Sequence, residues 1–301
     1  MVALQALRRY GTIAGAATAL GYTASAVSQQ LAGLERDTGV TLVDRGPRSA
    51  IVNAAGTEFL SAAGDVLQML DSARARAAAA VGRISGRVVV AAIPSVAPAV
   101  AAALARLRRE EPLLDIALVQ SSAPRAERSL IEGVVGIAVV DDWGTRPAVV
   151  DARLSSESCF AEPIVLAAHR DVVAGAGDDW LSMLSECLPH VPLLCATEGN
   201  YSREFADGWL ARRGLSPRTR WEFDGLDMLA ELVALAHGVA FLPASVVRRY
   251  PATVQAALPA PSTRTVNCLR RRDADGPRSA IIRCAQTLTA ELASTAGSRL
   301  F

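Results

Sequence analysis

Apolar side chains near the start of the chain recur at the three- and four-residue steps of two amphipathic helices, over 13–20 and 27–34. Gly21 lies between the two patterns, where a chain that leaves a helix often needs a positive φ. Ala16 and Ala17 are small enough to let two helices cross closely. The pattern therefore predicts a helix-turn-helix.

The opposite face of the second predicted helix carries side chains suited to the edges of bases. Ser25, Ser28 and Gln29 are short or bear an amide, and the major groove of DNA admits an α-helix. The alternative is an ordinary helical hairpin whose polar face meets water, since such motifs also arise by chance.

A strand, a turn and a second strand are predicted after the hairpin, over 37–52. They would form a β-wing with Arg48 at its tip. An arginine in that place can enter the narrow minor groove, where the negative potential of DNA is strongest. The alternative interpretation is a solvated arginine in a surface turn.

A long helix is predicted over 54–81, preceded by Asn53, a residue type that favours the N-cap. Its apolar positions step by four and three residues in a sustained heptad repeat. These positions are Phe59, Ala63, Val66, Leu70, Ala73, Ala77 and Ala80. One helix cannot bury this stripe alone, so we expect a second copy of the chain to cover it; packing against the chain's own body is the alternative. Phe59, Val66 and Leu70 should dominate the contact because they bury the most apolar area.

The run from Gly82 to Gly86 breaks the helix and predicts a hinge. Beyond it, apolar strands alternate with helical stretches, which favours a parallel sheet with helices on both faces. The predicted strands are 87–93, 116–119, 136–140, 163–168, 193–196, 220–223, 239–242 and 266–270. Two similar α/β lobes result, and we expect a small molecule in the cleft between them.

The composition is that of a globular chain, with 51% hydrophobic and 20% charged residues among 301. This length favours two or three domains. The formal net charge is only +1, but residues 1–53 hold five arginines against three acidic residues, which supports modest affinity for phosphates. The sequence has no run of 18 apolar residues and no signal peptide, so we expect a cytoplasmic protein without membrane contact.

Motifs of enzymes and metal sites are missing from the sequence. It has no G-x-S-x-G, no P-loop and no G-x-G-x-x-G after a strand, and its three histidines and five cysteines lack metal-ligand spacing. We therefore expect no catalysis, no cofactor and no metal. Cys195, Cys268 and Cys284 have apolar neighbours, which favours buried, reduced thiols. The run 141–143, two aspartates and a tryptophan, is interpreted as a surface turn.

From Leu4 to the closing helix, the chain resembles the LysR-type transcriptional regulators. The residues that carry the resemblance are Gly11, Ala16, Ala17, Leu20, the run 25–28, Leu34, Glu35, Gly39, Leu42, Arg45 and Gly56, with 130–140 and 238–243 further on. The resemblance implies an α/β fold overall, with a winged helix-turn-helix, a long linker helix and a two-lobed effector domain like a periplasmic binding protein. The implied divisions are a DNA-binding domain at 1–53, a dimerisation helix at 54–82, a hinge at 83–86, and an effector-binding domain at 87–301 whose first lobe takes about 87–161 and 268–301 and whose second takes about 162–267.

The resemblance also implies partners and sites. The partners are an operator in double-stranded DNA, a small-molecule effector and further copies of the chain in a dimer or tetramer. The implied DNA contacts are Thr23, Ala24, Ser25, Ser28, Gln29, Arg45 and Arg48, with Ala24 where the family often has a base-reading glutamine. The implied effector contacts are Pro94, Ser95, Val96, Asp141, Thr197, Glu198, Gly199, Asn200, Gly225 and Leu226. Helix N-termini favour a carboxylate, whereas Asp141 and Glu198 favour an amine, so we expect an anionic or zwitterionic effector.

Two other functions are also compatible with the sequence. The first is a thiol-based redox sensor of the same family, in which Cys187 and Cys195 would be the candidates. Peroxide-sensing members place the reactive cysteine in the loop after the strand, and here that loop, 198–203, carries Tyr201 and no cysteine. The second is a solute-binding protein without a DNA function, which would leave residues 1–81 unexplained.

Overall fold

The computed structural model describes residues 1–46, 49–80, 84–145, 151–173, 184, 188–258, 262–272 and 280–297, although several side chains of the helix over 54–80 and at the end of the last helix are not described. Arg48 and Cys187 lie outside the described residues, as do Gly82 and Arg83 at the start of the predicted hinge. The chain divides into two compact units, of which the first is Met1–Ala73 with Ile131–Val134 and the second is the remainder. No helix among the described residues is long and apolar enough to cross a membrane.

The first unit contains the predicted helix-turn-helix and wing. Its elements are α1 (Val2–Tyr10), α2 (Ile13–Leu20), α3 (Ala24–Thr38), β1 (Val43–Arg45), β2 (Ala50–Val52) and α4 (Ala54–Ala80), the last of which extends beyond the unit. Gly21 ends α2 with a φ of 69°, which confirms the turn expected from the sequence. The strands β1 and β2 pair antiparallel, with Val43 opposite Val52.

Side-chain caps and one close approach fix these helices in place. The hydroxyl oxygen of Thr23 accepts a hydrogen bond from the Ala26 N–H at 3.2 Å, and Asn53 Oδ1 accepts from the Gly56 N–H at 2.9 Å, which confirms Asn53 as a cap. A Cβ atom at Gly56 would lie 2.3 Å from the carbonyl oxygen of Leu42, so only glycine lets the start of α4 pack against the wing. Leu4, Val27, Leu31 and other apolar side chains fill the core between these elements.

The second unit is built on a mixed sheet flanked by helices. In chain order its elements are β3 (Gly86–Ala92), a 3₁₀ turn (Pro94–Val96), α5 (Ala97–Glu110), β4 (Leu114–Gln120), α6 (Ala123–Ile131), β5 (Ile137–Asp142), β6 (Leu154–His169), β7 (Leu193–Cys195), α7 (Tyr201–Ala211), β8 (Arg220–Glu222), α8 (Leu226–Ala234), β9 (Val239–Pro243), α9 (Ala244–Val247), β10 (Thr253–Ala257), β11 (Thr263–Arg271) and α10 (Ala280–Gly297). The described strands lie in the order β4-β3-β5-β11-β6-β9-β7-β8, and β10 pairs with β6.

The prediction of a parallel sheet is only half correct. Strand β3 pairs parallel with β4 and β5, and β7 pairs parallel with β8 and β9. In the middle of the sheet, β11 pairs antiparallel with β5 and β6, and β6 pairs antiparallel with β9 and β10. Strands β6 and β11 mix buried positions with exposed or half-buried ones, which is typical of antiparallel strands, but the prediction followed the alternation of strands and helices along the chain instead.

Strand β6 is shared by the two halves of this unit. Strand β6 pairs with β11 up to Pro163 and with β9 from Ile164, and the Ile164 N–H donates to the carbonyl oxygen of Ser262 at 2.8 Å. We call the β3, β4, β5 and β11 half, with the start of β6 and the helices α5, α6 and α10, the first lobe. The second lobe holds the end of β6, the strands β7 to β10 and the helices α7 to α9. The chain re-enters the first lobe at Thr263, where β11 begins, so the sequence-based boundary at 268 falls inside a strand.

Candidate functional site

The exposed face of α3 carries the residues predicted to contact DNA. Val27 and Leu31 are buried in the core of the first unit. On the other side, Ser25 and Gln29 are exposed and Ser28 is half-buried. Thr23 and Ala24, at the start of the helix, are also exposed. The beginning of α3 thus presents hydroxyl and amide groups to solvent, as base readout requires.

A carboxylate ties the wing to α3. Glu35 Oε1 accepts hydrogen bonds from the backbone N–H groups of Leu42 and Val43 at 2.9 and 3.1 Å, and Oε2 accepts from Arg45 Nη2 at 3.0 Å. Arg45, a predicted DNA contact, is therefore held by Glu35 while 44% of its side chain stays exposed. Glu35 is one of the residues that carry the family resemblance, but the sequence does not predict that it orients Arg45.

The predicted heptad stripe of α4 divides into a covered and an uncovered part. Phe59 is half-buried and packs against the core of the first unit beside the buried Leu60, and its part in a contact between chains stays a prediction. Ala63 is half-buried. The positions Val66, Leu70, Ala73 and Ala77 are exposed, as is Met69, which the heptad spacing did not include. The Ala80 side chain lies outside the described residues.

A cavity of about 390 Å³ opens between the two lobes of the second unit. Its lining includes every predicted effector contact except Val96, which is buried at 1% exposure and is corrected to a core residue. The predicted residues that line it are Pro94, Ser95, Asp141, Thr197, Glu198, Gly199, Asn200, Gly225 and Leu226. The lining residues that the sequence did not single out include Gln120, Ser121, Ser122, Arg125, Tyr201, Ser202 and Asp224.

The two walls of this cavity carry opposite charges. The first-lobe wall is the turn from β4 into α6, with Ser121, Ser122 and the exposed Arg125. The second-lobe wall carries the exposed carboxylates of Glu198 and Asp224. Hydrogen bonds organise the second wall, since the Thr197 hydroxyl donates to Asp224 Oδ1 at 2.8 Å and Asn200 Nδ2 donates to Thr197 Oγ1 at 2.9 Å. Such walls suit a ligand that bears both signs of charge.

One hydrogen bond joins the two lobes beside the cavity. The Tyr201 hydroxyl, at the start of α7, donates to Glu127 Oε2 on α6 at 2.8 Å. Tyr201 is buried although it lines the cavity. A ligand in the cavity can therefore touch the Tyr201–Glu127 contact, which joins the two lobes.

The floor of the cavity holds a buried ionic cluster that the sequence analysis missed. Arg264 is only 1% exposed; its Nε donates to Asp141 Oδ2 at 2.9 Å and its Nη1 to Glu162 Oε1 at 3.0 Å. Its Nη2 donates to the Ser95 hydroxyl oxygen. Trp143, 2% exposed, donates through Nε1 to the same Asp141 oxygen at 2.8 Å. The interpretation of 141–143 as a surface turn was therefore wrong for Asp141 and Trp143, since both are buried, Asp141 pairs with Arg264, and Trp143 donates to Asp141.

One signal in the sequence could have revealed Arg264. Residues 264, 266 and 268 alternate along β11, and Val266 and Cys268 are buried. Every second residue of a strand points to the same face, so the spacing that buries Val266 and Cys268 also buries Arg264. A charged residue at an inward position calls for a buried partner.

The four described cysteines are buried and reduced. Burial raises the pKa of the Cys159 thiol to about 11 and that of Cys284 to about 12, and it raises the pKa of Cys268 further. Burial also raises the pKa of Cys195, partly offset by the Arg203 guanidinium, whose Nη1 lies 3.2 Å from the sulfur. The described residues contain no group of three His, Cys, Asp or Glu side chains placed to hold a metal ion.

Two family models match the chain. The "LysR substrate binding domain" matches residues 82–293, and the "Bacterial regulatory helix-turn-helix protein, lysR family" matches residues 1–57. A "Probable hydrogen peroxide-inducible genes activator" of Mycobacterium xenopi is 33% identical over 171 residues, which are 54% of this chain and 88% of that protein.

Two solved structures share the fold. A full-length OxyR variant from Pseudomonas aeruginosa has a TM-score of 0.63 at 19% identity and covers 97% of this chain and 92% of its own. ArgP from Mycobacterium tuberculosis has a TM-score of 0.62 at 20% identity and covers 96% of this chain and 95% of its own. Since the substrate-binding match alone spans more than half of the sequence and the helix-turn-helix match covers its start, the chain belongs to the LysR family and is a LysR-type transcriptional regulator.

Proposed function

We propose that this regulator reads an operator in double-stranded DNA with the start of α3 and responds to a small molecule bound in the cavity between its two lobes. The observation that carries the proposal is the cavity itself. Its lining joins residues of both lobes, and three of its segments precede or begin the helices α6, α7 and α8. Exposed N–H groups and polar side chains at helix N-termini are suited to binding a small polar ligand.

Base readout is assigned to Ser25, Ser28 and Gln29. The amide of Gln29 can make the bidentate contact that distinguishes adenine, and the serines can serve a base or a phosphate. Thr23 and Ala24 would lie near phosphates, which favour helix N-termini. Arg45 and Arg48 would contact the DNA from the wing.

We assign the exposed apolar stripe of α4 to a homodimer contact. Val66 and Met69 are 64% and 70% exposed and Leu70 is 48% exposed, so a single chain leaves these large side chains in water. A second α4 would cover them at a gain of about 25 cal/mol per Å² of apolar surface. A tetramer made of two such dimers stays a prediction from the family resemblance.

The charges of the walls support a zwitterionic or anionic effector. Arg125 and the first turn of α6 attract a carboxylate, while Glu198 and Asp224 attract an amine. We place the protein in the cytoplasm, where it meets DNA, and we assign it no catalytic activity. A solute-binding role alone would leave the helix-turn-helix of the first unit without a function.

Redox sensing is the second candidate, favoured by the name of the Mycobacterium xenopi relative. The properties of the described cysteines argue against redox sensing. Cys195 is 4% exposed within β7, and its raised pKa keeps it protonated and a poor nucleophile at neutral pH. The described loop after β7 contains Tyr201 and no cysteine.

Replacing Gln29 by alanine should weaken binding to the operator by about 1–3 kcal/mol because the amide contact to a base is lost. Binding to a random duplex should stay nearly unchanged. Gel-shift titration on both DNAs measures the effect, with Gln30→Ala as the control at the neighbouring exposed position. An equal loss on both duplexes would contradict the assignment.

Replacing Leu70 by aspartate should dissociate the dimer because the charge would have to enter the apolar contact. Sedimentation velocity at a series of concentrations measures the oligomeric state. Thr57→Asp, an exposed change near the start of the same helix, should leave the dimer intact. A Leu70→Asp chain that sediments like the wild type would exclude α4 from the interface.

Peroxide treatment should not change operator binding, and iodoacetamide at pH 8 should leave Cys159, Cys268 and Cys284 unmodified in the native chain. Their raised pKa values keep the thiolate fraction small until the pH approaches about 11 for Cys159 and about 12 for Cys284. Peptide mass spectrometry measures the labelling, and the urea-unfolded chain, where all five cysteines react, is the control. Loss of operator binding after peroxide, restored by a thiol reductant, would favour the redox sensor instead.

A screen of matched triplets should identify the effector class. Each triplet holds an amino acid, its des-amino carboxylate and its decarboxylated amine. We expect the amino acid or the carboxylate of at least one triplet to raise the unfolding temperature, since a ligand that binds only the native state stabilises it by mass action. If amines alone raise it, the charge assignment of the walls is wrong.

A further inference from the structure

We propose that Arg264 is a positioning residue of the effector site. It holds the Ser95 hydroxyl as a donor to the carboxylate of an α-amino acid and the Asp141 carboxylate as an acceptor for the ammonium of the same molecule. This inference rests on the proposed function of the cavity. Arg264 does not line the cavity itself, whereas both Ser95 and Asp141 do.

The orientation of the Ser95 hydroxyl follows from its partner. Arg264 Nη2 carries only donors, so the Ser95 oxygen accepts in this hydrogen bond. The hydroxyl hydrogen of Ser95 remains for donation to another acceptor. Ser95 is half-buried at the floor, and an oxygen of a bound carboxylate is the acceptor that a ligand can supply there.

The two oxygens of the Asp141 carboxylate differ in their hydrogen-bond partners. Its Oδ2 accepts from both Arg264 Nε and Trp143 Nε1. None of the described residues donates a hydrogen bond to Oδ1, and Asp141 lines the cavity. Oδ1 is thus the oxygen left to accept from a ligand N–H group.

The charge of the cluster favours a cation at that oxygen. Two carboxylates, Asp141 and Glu162, share the single guanidinium of Arg264. The Ser245 backbone N–H, at 3.2 Å, is the further donor to Glu162. The cluster therefore keeps an excess of one negative charge, and an ammonium beside Asp141 would balance it.

The planar guanidinium of Arg264 sets the spacing between the Ser95 hydroxyl and the Asp141 carboxylate. Nε and Nη2 belong to one planar group with fixed donor directions, so Asp141 and Ser95 are held at neighbouring points of the floor. An α-amino acid carries its ammonium and its carboxylate on a single carbon, which suits such a pair. A lysine at position 264 would keep the positive charge but would lose the fork.

Isothermal titration of the full-length chain with the triplet that binds best tests the proposal. We expect the wild type to prefer the amino acid to its des-amino carboxylate and to its amine. In Arg264→Lys, the affinity for the amino acid should fall by about tenfold or more, and the preference over the carboxylate should shrink. Arg203→Lys is the matched control, because Arg203 is also buried between two carboxylates, Asp207 and Glu222, that do not line the cavity.

Ser95→Ala covers the case in which Arg264→Lys does not fold, because it leaves both ion pairs in place. It should weaken the amino acid and the carboxylate by about tenfold and leave the amine nearly unchanged. The positioning role is overturned if the amino acid binds the wild type and Arg264→Lys retains both the affinity and the preference. Where the lysine variant is unfolded, the same result for Ser95→Ala overturns it. In both cases the proposed function stands. If no member of any triplet binds the wild type, the proposed effector class fails and this inference fails with it.

Discussion

A guanidinium buried between two carboxylates fixes the strands on which both lobes are built. Asp141, Arg264 and Glu162 come from β5, β11 and β6, which are adjacent in the sheet. Moving charges out of water is costly, and the cost is offset only where each charge is paired and hydrogen-bonded. Removal of the arginine would leave two buried carboxylates without a counterion, at a cost of about 3–5 kcal/mol. The cluster thus holds the sheet together close to the point where the two lobes diverge.

The cavity combines a buried ionic floor with polar, partly exposed walls, and both lie apart from the apolar cores. The walls are turns at strand ends and helix N-termini, which a packed scaffold positions without burying. The described thiols lie in the cores, whereas the polar groups of the cavity and Tyr201 of the Tyr201–Glu127 contact line a space that a ligand can enter. In the first unit, α3 exposes a polar face and α4 an apolar one. A dimer through α4 would present two copies of α3, as a two-fold operator requires.

Periodicity predicted the elements well, but it could not predict contacts between distant strands. The period of 3.6 residues located α2, α3 and α4, and the residue type of Asn53 located the cap of α4. Positions at strand ends and helix starts identified nearly all of the predicted cavity lining. The Asp141–Arg264 pair spans 123 residues of sequence, and the antiparallel course of β11 that creates it leaves no local pattern. The heptad repeat also does not show which of its positions the chain itself covers, as the core of the first unit partly covers Phe59.

We expect effector binding in the cavity and operator binding by the first unit to be linked in free energy. The direct test measures operator affinity with and without saturating effector, and effector affinity with and without operator, on the same full-length protein. Linkage requires both affinities to change by one common factor, typically about 5- to 150-fold. We expect the two factors to be equal and different from one. It is contradicted if the effector binds in the cavity while the operator affinity and the footprint on the DNA both stay the same.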